Sequence, residues 1–401
     1  MIKKIFSKKI ILIIILIIIF IGFKDNKVYA EANENINTNE EMVLEDEEVN
    51  SRLNNLYNYI NNMKSDIEIM NELDPISYVK NYMKTGEGDL SYKKITSGII
   101  SFLFKEVKTV LALSVSIIVI AIICSLIKNL QSAFSNEGIS NIAFFACYAI
   151  LIIILSKSFI VSINIATGII KDLADFMAAI LPVLVIMLGT VGGFTQVATM
   201  DPIIMGATLI IPRIYINLII PLILISFVLD FTNNISSEYK ISNLCKLIKQ
   251  ITLWLQGIIL TVFIGLLTVR GISSSTIDAV TLKTAKFAID NFIPIVGKAF
   301  SDAIASVAGY ALIIKNAVSS IGLIIIILLM IYPIIKLTLI SFVYKLTAAV
   351  IEPISDKRIT ASIESAGNSL ILIMSCVLSV SLMFFVLLSI MASAGKFVIG
   401  G

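Results

Sequence analysis

A chain of 401 residues that is 57% hydrophobic and only 15% charged, with a mean hydropathy of +0.95, has too little polar surface for a water-soluble particle of its size. The absence of histidine removes Ser–His and Cys–His catalysis, imidazole metal sites and imidazole proton relays. Cys124, Cys147, Cys245 and Cys376 are scattered in or beside apolar stretches without CxxC spacing, so they read as small buried hydrophobes and not as a zinc or redox motif.

At the N-terminus Lys3, Lys4, Lys8 and Lys9 precede an unbroken apolar run from Ile10 to Phe23, and Val28-Tyr29-Ala30 follows a short polar stretch. A basic region, a short apolar region and small residues before the cut form a signal peptide over 1–30, cleaved between Ala30 and Glu31. An uncleaved signal anchor is the alternative; the run is short for a span, which takes about 20 residues. Cleavage takes six of the 31 basic and one of the 28 acidic residues, so the formal charge falls from +3 to −2 and a basic nucleic-acid binder is not supported.

Residues 31–108 hold 15 acidic and 8 basic side chains. The acidic stretch 31–50 cannot bury enough apolar area to offset its ordering entropy and is expected to be disordered. From residue 51 to 107 the spacing predicts an extracytoplasmic helical region. Leu53, Leu56, Tyr57, Ile60, Met63 and Ile67 make one helical face. Asp74-Pro75 starts a second short helix, which Thr85-Gly86-Glu87-Gly88 ends, and Ile95, Ile99, Phe102 and Leu103 lead toward the membrane. The region is either a solvated lead-in or a docking face, since an amphipathic helix needs a partner for its apolar side.

Residues 108–401 read as a polytopic membrane domain. Seven long uncharged or nearly uncharged runs place spans near 109–127, 141–165, 176–198, 203–229, 250–269, 316–335 and 368–392. The fold class is therefore all-α, a polytopic helical membrane protein of about seven spans with a small extracytoplasmic helical N-terminal region. Lys/Arg asymmetry among the loops does not settle the orientation. The segment 281–314, with Lys283, Lys286, Asp290, Pro294, Gly297 and Asp302, is expected to lie along the interface or to re-enter the membrane, as a candidate partner segment.

Charges within spans point to protein or water, because each costs at least about 2.5–3.5 kcal/mol in the bilayer core. The candidate intramembrane polar residues are Lys157, Asp175, Asp201 and Arg213. Asp201, next to Pro202, also reads as a short polar turn between two spans. Arg213, between Pro212 and Pro221, reads as part of a broken helix lining a cavity or paired with Asp201 or Asp230. Gly189-Thr190-Val191-Gly192-Gly193 resembles a potassium filter superficially, but a glycine-rich helix break fits it better. No phosphate-binding glycine motif follows a strand pattern, and the sequence offers no catalytic, cofactor-binding or metal-binding residues.

Several strings resemble the stage III sporulation protein AE family of endospore-forming bacteria. They are Asn129-Leu130-Gln131-Ser132-Ala133-Phe134, Phe176-Met177-Ala178-Ala179-Ile180-Leu181-Pro182, Tyr344-Lys345-Leu346, Ser381-Leu382-Met383-Phe384-Phe385, and the long stretch from Lys283-Thr284-Ala285-Lys286-Phe287 through Pro294 and Gly297 to Ala303. The resemblance covers roughly residues 90–400, and the acidic stretch 31–50 is outside it. It implies a non-enzymatic subunit of the channel complex that links mother cell and forespore, needed for late forespore development. The expected site is the mother-cell-derived outer forespore membrane, with the N-terminal region facing the intermembrane space. The implied partners are other stage III sporulation A proteins, among them a separate ATPase, a forespore-membrane ring protein and the lipid bilayer, with no nucleic acid and no cofactor. The alternative is a self-contained secondary transporter with a polar site near Asp201 and Arg213.

Overall fold

The computed structural model describes residues 47–66, 77–79, 81–82, 92–133, 137–235, 241–292 and 297–395, among which there is no strand. The helices are α1 (Glu47–Asp66), α2 (Tyr92–Ala133), α3 (Glu137–Thr190), α4 (Phe194–Ile214), α5 (Ile220–Ile235), α6 (Ser242–Phe292), α7 (Gly297–Ile351) and α8 (Lys357–Ser393). A π turn, Tyr215–Ile219, joins α4 to α5. The expected signal peptide, with Ala30 and Glu31, lies outside the described residues. So does the acidic stretch except for Glu47–Asn50, which already forms the first turn of α1. Two glutamates there sit well at a helix N-terminus, whose free N–H groups carry partial positive charge.

Six helices are long and apolar enough to cross a membrane, close to the expected seven. The difference arises in α3. The runs 141–165 and 176–198 were expected as separate spans, yet the first and most of the second lie on one uninterrupted helix of 54 residues, about 81 Å long. Lys171, Asp172 and Asp175 interrupt the apolar run without interrupting the backbone, because charge alone does not break a helix. The break falls instead at Val191–Gly193. There Gly192, at φ 88, donates to the Gly189 carbonyl and Gly193 donates to that of Leu188, both at 2.9 Å, a left-handed turn that closes the end of α3.

Asp201 and Pro202, expected at a turn, lie inside α4, and Pro212 and Pro221 do not break the chain either. Pro221 has no N–H and its ring crowds the carbonyl four residues back; the preceding turn widens to i→i−5, with the Ile220 N–H on the Tyr215 carbonyl.

The core is built around α8, which packs against α3, α5, α6 and α7. Its small residues allow close approach: at Gly367 an added Cβ would lie 3.2 Å from the Ser341 carbonyl oxygen and 3.3 Å from Lys345. Gly322 of α7 is tighter still, with Ile180 of α3 and Leu388 of α8 filling the space its side chain would take.

Along α3 the exposed side chains change character. The first half shows Ile142, Phe145, Ile150, Ile153 and Ile160 to the outside, and the second half shows Asn164, Lys171, Asp172 and Asp175. In α7, likewise, the uncharged run 316–335 is largely covered by protein, while Phe342, Leu346 and Val350 beyond it are exposed. The run 176–190 of α3 and the run 316–335 of α7 are thus largely covered by protein, while the first half of α3 and the end of α7 carry the outward apolar face.

The N-terminal helices dock on this bundle. Leu53, Leu56 and Ile60 of α1 are buried, α1 packs on α3, and the Tyr59 hydroxyl reaches the Asp172 carbonyl at 3.4 Å. Tyr78 meets Ser320 of α7 hydroxyl to hydroxyl at 2.8 Å. Burial pushes the Tyr57 phenol up to about 12. For Tyr59, burial and then the Asp175 and Asp172 carboxylates do the same.

Candidate functional site in the interior of the bundle

The charges that flank the apolar runs in sequence come together in space. Glu106 of α2, 8% exposed, accepts a hydrogen bond from Lys336 Nζ of α7 at 3.2 Å. Lys336 also lies 3.4 Å from the Tyr332 hydroxyl and 5.5 Å over the centre of its ring, which adds cation–π attraction. The second carboxylate oxygen, Oε2, is buried with no hydrogen-bond partner. Asp230 of α5 pairs with Lys249 of α6 at 2.5 Å. Desolvating such charges is costly, and each pair offsets that cost only while both partners are present.

Two further groups serve helix ends. Lys315 of α7 is fully buried and donates to the carbonyls of Ala392, at 3.2 Å, and Ala394, at the end of α8. Those carbonyls lack intrahelical donors and carry the negative end of the helix dipole, so an ammonium group is favoured there. Asp278 of α6, 4% exposed, accepts the Thr195 N–H of the first turn of α4 at 2.8 Å, the complementary arrangement at a positive helix end.

Between these groups run hydroxyl and amide contacts. Ser114 of α2 meets Thr347 of α7 at 2.7 Å, and Tyr148 of α3 meets Ser362 of α8 at 2.6 Å. Ser341 donates to the Gly367 carbonyl at 2.8 Å. Gln256 of α6 donates to Cys376 Sγ at 3.2 Å and accepts from Ser375 at 2.8 Å. A cleft of about 320 Å³ between α3 and α5 is lined by Ile152, Ser156, Phe227, Val228, Phe231, Thr232 and Ile235, a lining suited to hydrocarbon. These interactions cross-link helices; the interior is built as a clamp.

The sequence-selected polar residues stand elsewhere. Lys157, Asp175 and Arg213 carry exposed side chains, Asp175 beside Tyr59 of α1. Asp201 and Arg213 lie on one helix, about 18 Å apart along its axis, so they do not form one site. Lys283, exposed, is on α6 with Lys286 and Asp290; Gly297 begins α7, which also carries Asp302, and Pro294 lies outside the described residues. Lys249, Lys315 and Lys336 bound apolar runs and Glu106 lies three residues ahead of one, so hydropathy alone gives none of them a role. The signal for them was there: Lys315 and Lys336 immediately bracket the uncharged run 316–335.

Architecture and interior together define a polytopic α-helical membrane protein whose bundle is cross-linked by part-buried ion pairs, helix-end contacts and close packing at Gly322 and Gly367. The family profile of Stage III sporulation protein AE matches residues 73–395. The chain is 33% identical over 334 residues to Stage III sporulation protein AE of Bacillus subtilis (strain 168), covering 82% of this chain and 84% of that one. The chain belongs to the stage III sporulation protein AE family. No solved structure matches it.

Proposed function

We propose that this chain is a non-enzymatic membrane subunit of the sporulation channel complex that links mother cell and forespore, needed for late forespore development. It sits in the mother-cell-derived outer forespore membrane, and residues 51–107 face the intermembrane space. Its partners are other stage III sporulation A proteins, among them a separate ATPase, and a forespore-membrane ring protein. Family membership supports the sporulation role. The observation that supports a scaffolding part within it is the cross-linked interior: buried Glu106, Asp230, Asp278 and Lys315 each meet an opposite charge or a helix end, and α8 fills the centre with packed apolar side chains.

The test is thiol accessibility in a cysteine-free background in sporulating cells, using a membrane-impermeant reagent. Cysteine at Ser51 is expected to label, and cysteines at Ser114, Ser362 and Ser369 to stay protected. Periodic labelling along α8 would make the bundle a water-filled conduit and sink the scaffold reading. Protection of Ser51 would sink the assignment of the N-terminal region to the intermembrane space.

A further inference from the structure

Two helices mark where lipid ends. On α3 the exposed large apolar side chains run from Ile142 to Val161, about 29 Å along the axis, which matches a hydrocarbon core of about 30 Å. From Ser162 to Thr190 no large apolar side chain is exposed, whereas Asn164, Lys171, Asp172 and Asp175 are, charges that lipid does not accept. On α7 none is exposed from Ser306 to Ser341, and the exposed ones begin at Phe342. Gly322 of α7 faces Ile180 of α3. It precedes Phe342 by 20 residues and Ile180 follows Val161 by 19, so the two edges stand at one height.

Beyond that edge the bundle continues. A Cβ on Gly395, just past α8, would lie 3.0 Å from Val191, 3.4 Å from Leu188 at the end of α3 and 3.7 Å from Leu312 of α7. Lys315 of α7 donates to the Ala392 and Ala394 carbonyls beside it. Leu188 is 27 residues from Val161, and Lys315 is 27 residues from Phe342, about 40 Å along each helix. The two helices therefore run antiparallel from one edge to one far point. Lipid cannot hold that length: α3 is about 81 Å long, and even a tilt of about 40° immerses only about 39 Å of helix.

We infer that α3, α7 and α8 carry the packed core about 40 Å past the bilayer as a water-facing pillar, on the side that holds α1. The seat of α1 is an independent mark of that side. Tyr59 reaches the Asp172 carbonyl about 17 Å beyond the edge, and Tyr78 meets Ser320 about 33 Å beyond it. The outer face of α1 is Asn54, Asn55, Asn58 and Asn61, amides that belong in water. Phe194 of α4 and Ile277 and Val280 of α6 are exposed apolar residues of the kind that occur singly on water-facing surfaces. The pillar follows from the fold alone. That it faces the intermembrane space rests on the proposed function, and there the pillar, not the lipid surface, is what partner proteins meet.

The test is labelling of full-length single-cysteine variants in lipid nanodiscs, where both membrane faces meet a charged maleimide. Ala178→Cys, Thr190→Cys and Phe194→Cys are expected to react at least tenfold faster than Ile150→Cys, Ile153→Cys and Leu346→Cys. All six side chains are exposed on the protein, so the medium around them is what differs. Equal rates in the two sets would overturn the inference. The unmodified protein gives a second reading: electron microscopy of the same nanodiscs is expected to show density reaching about 40 Å beyond one face, and density ending within about 10 Å of both faces would overturn it as well. Labelling of Thr190→Cys in nanodiscs but from the cytoplasmic side of cells would reverse the proposed orientation and leave the pillar standing.

Discussion

Lys336 Nζ of α7 lies 3.2 Å from Glu106 Oε1 of α2, an ion pair joining residues 230 positions apart just where the outward apolar face of α7 begins. Each partner owes its burial to the other. Removing one leaves an uncompensated buried charge, worth about 3–5 kcal/mol, whereas replacing both by apolar or neutral groups is often close to neutral. Lys336→Met is therefore expected to lower stability in detergent more than Glu106→Gln/Lys336→Met. The check is a double-mutant cycle read by thermal unfolding; additive effects would mean that the pair contributes no coupling.

Lys315 ties the middle of α7 to the end of α8. Lys315→Met keeps the apolar stem and removes the donor, leaving the Ala392 and Ala394 carbonyls without it. The expected cost is about 1.5–3 kcal/mol, the range for hydrogen bonds to charged groups. It should be local: amide exchange is expected to speed up over residues 385–395 while the Tyr148–Ser362 region stays protected. Uniform loosening of the whole bundle would count against the clasp.

At Gly322 of α7 the side chains of α3 and α8 fill the space a side chain would take. A Cβ there would lie 2.4 Å from Ile180 Cδ1 and 2.8 Å from Leu388 Cδ2. Both atoms are tips of flexible side chains, so Gly322→Ala should be tolerated at a cost of about 1–3 kcal/mol. Adding Ile180→Val removes the nearer atom and is expected to recover part of that loss in a thermal melt. A double variant less stable than Gly322→Ala would disprove the contact.

The seat of α1 should be sensitive to alkali. Burial holds the Tyr57 phenol up near 12, against 10 in an unfolded chain. A raised phenol keeps its neutral form, so its contribution to docking is complete below pH 10 and is lost as pH rises from 10 toward 12. Proteolysis of residues 47–66 in detergent is expected to accelerate over that window, and Tyr57→Phe is expected to flatten the response. Equal pH dependence in the two proteins would exclude Tyr57 as the cause.

Much of the class was legible without coordinates, because hydropathy reports the one property a bilayer demands. The helical face Leu53, Leu56 and Ile60 was read from spacing and is the face that docks on α3. The glycine-rich break after Gly189 was legible too, since Gly192 takes a positive φ that few side chains accept. The interior polar groups were not legible as a set. Glu106 and Lys336 are far apart in the chain, and a charge at the end of an apolar run looks the same in sequence whether it enters water or a partner helix.

The sequence by itself determined that this protein is helical, bilayer-embedded and of the stage III sporulation protein AE family, since composition, run length and family-specific strings are all local properties. Only the tertiary structure decided that 141–165 and most of 176–198 are one helix, and that the runs 176–190 and 316–335 largely face protein. It also decided which charges find partners. Apolar side chains leave water equally well for lipid or for protein, so hydropathy is blind to the difference; the packing of α3, α7 and α8 around Gly322 is what separates the two.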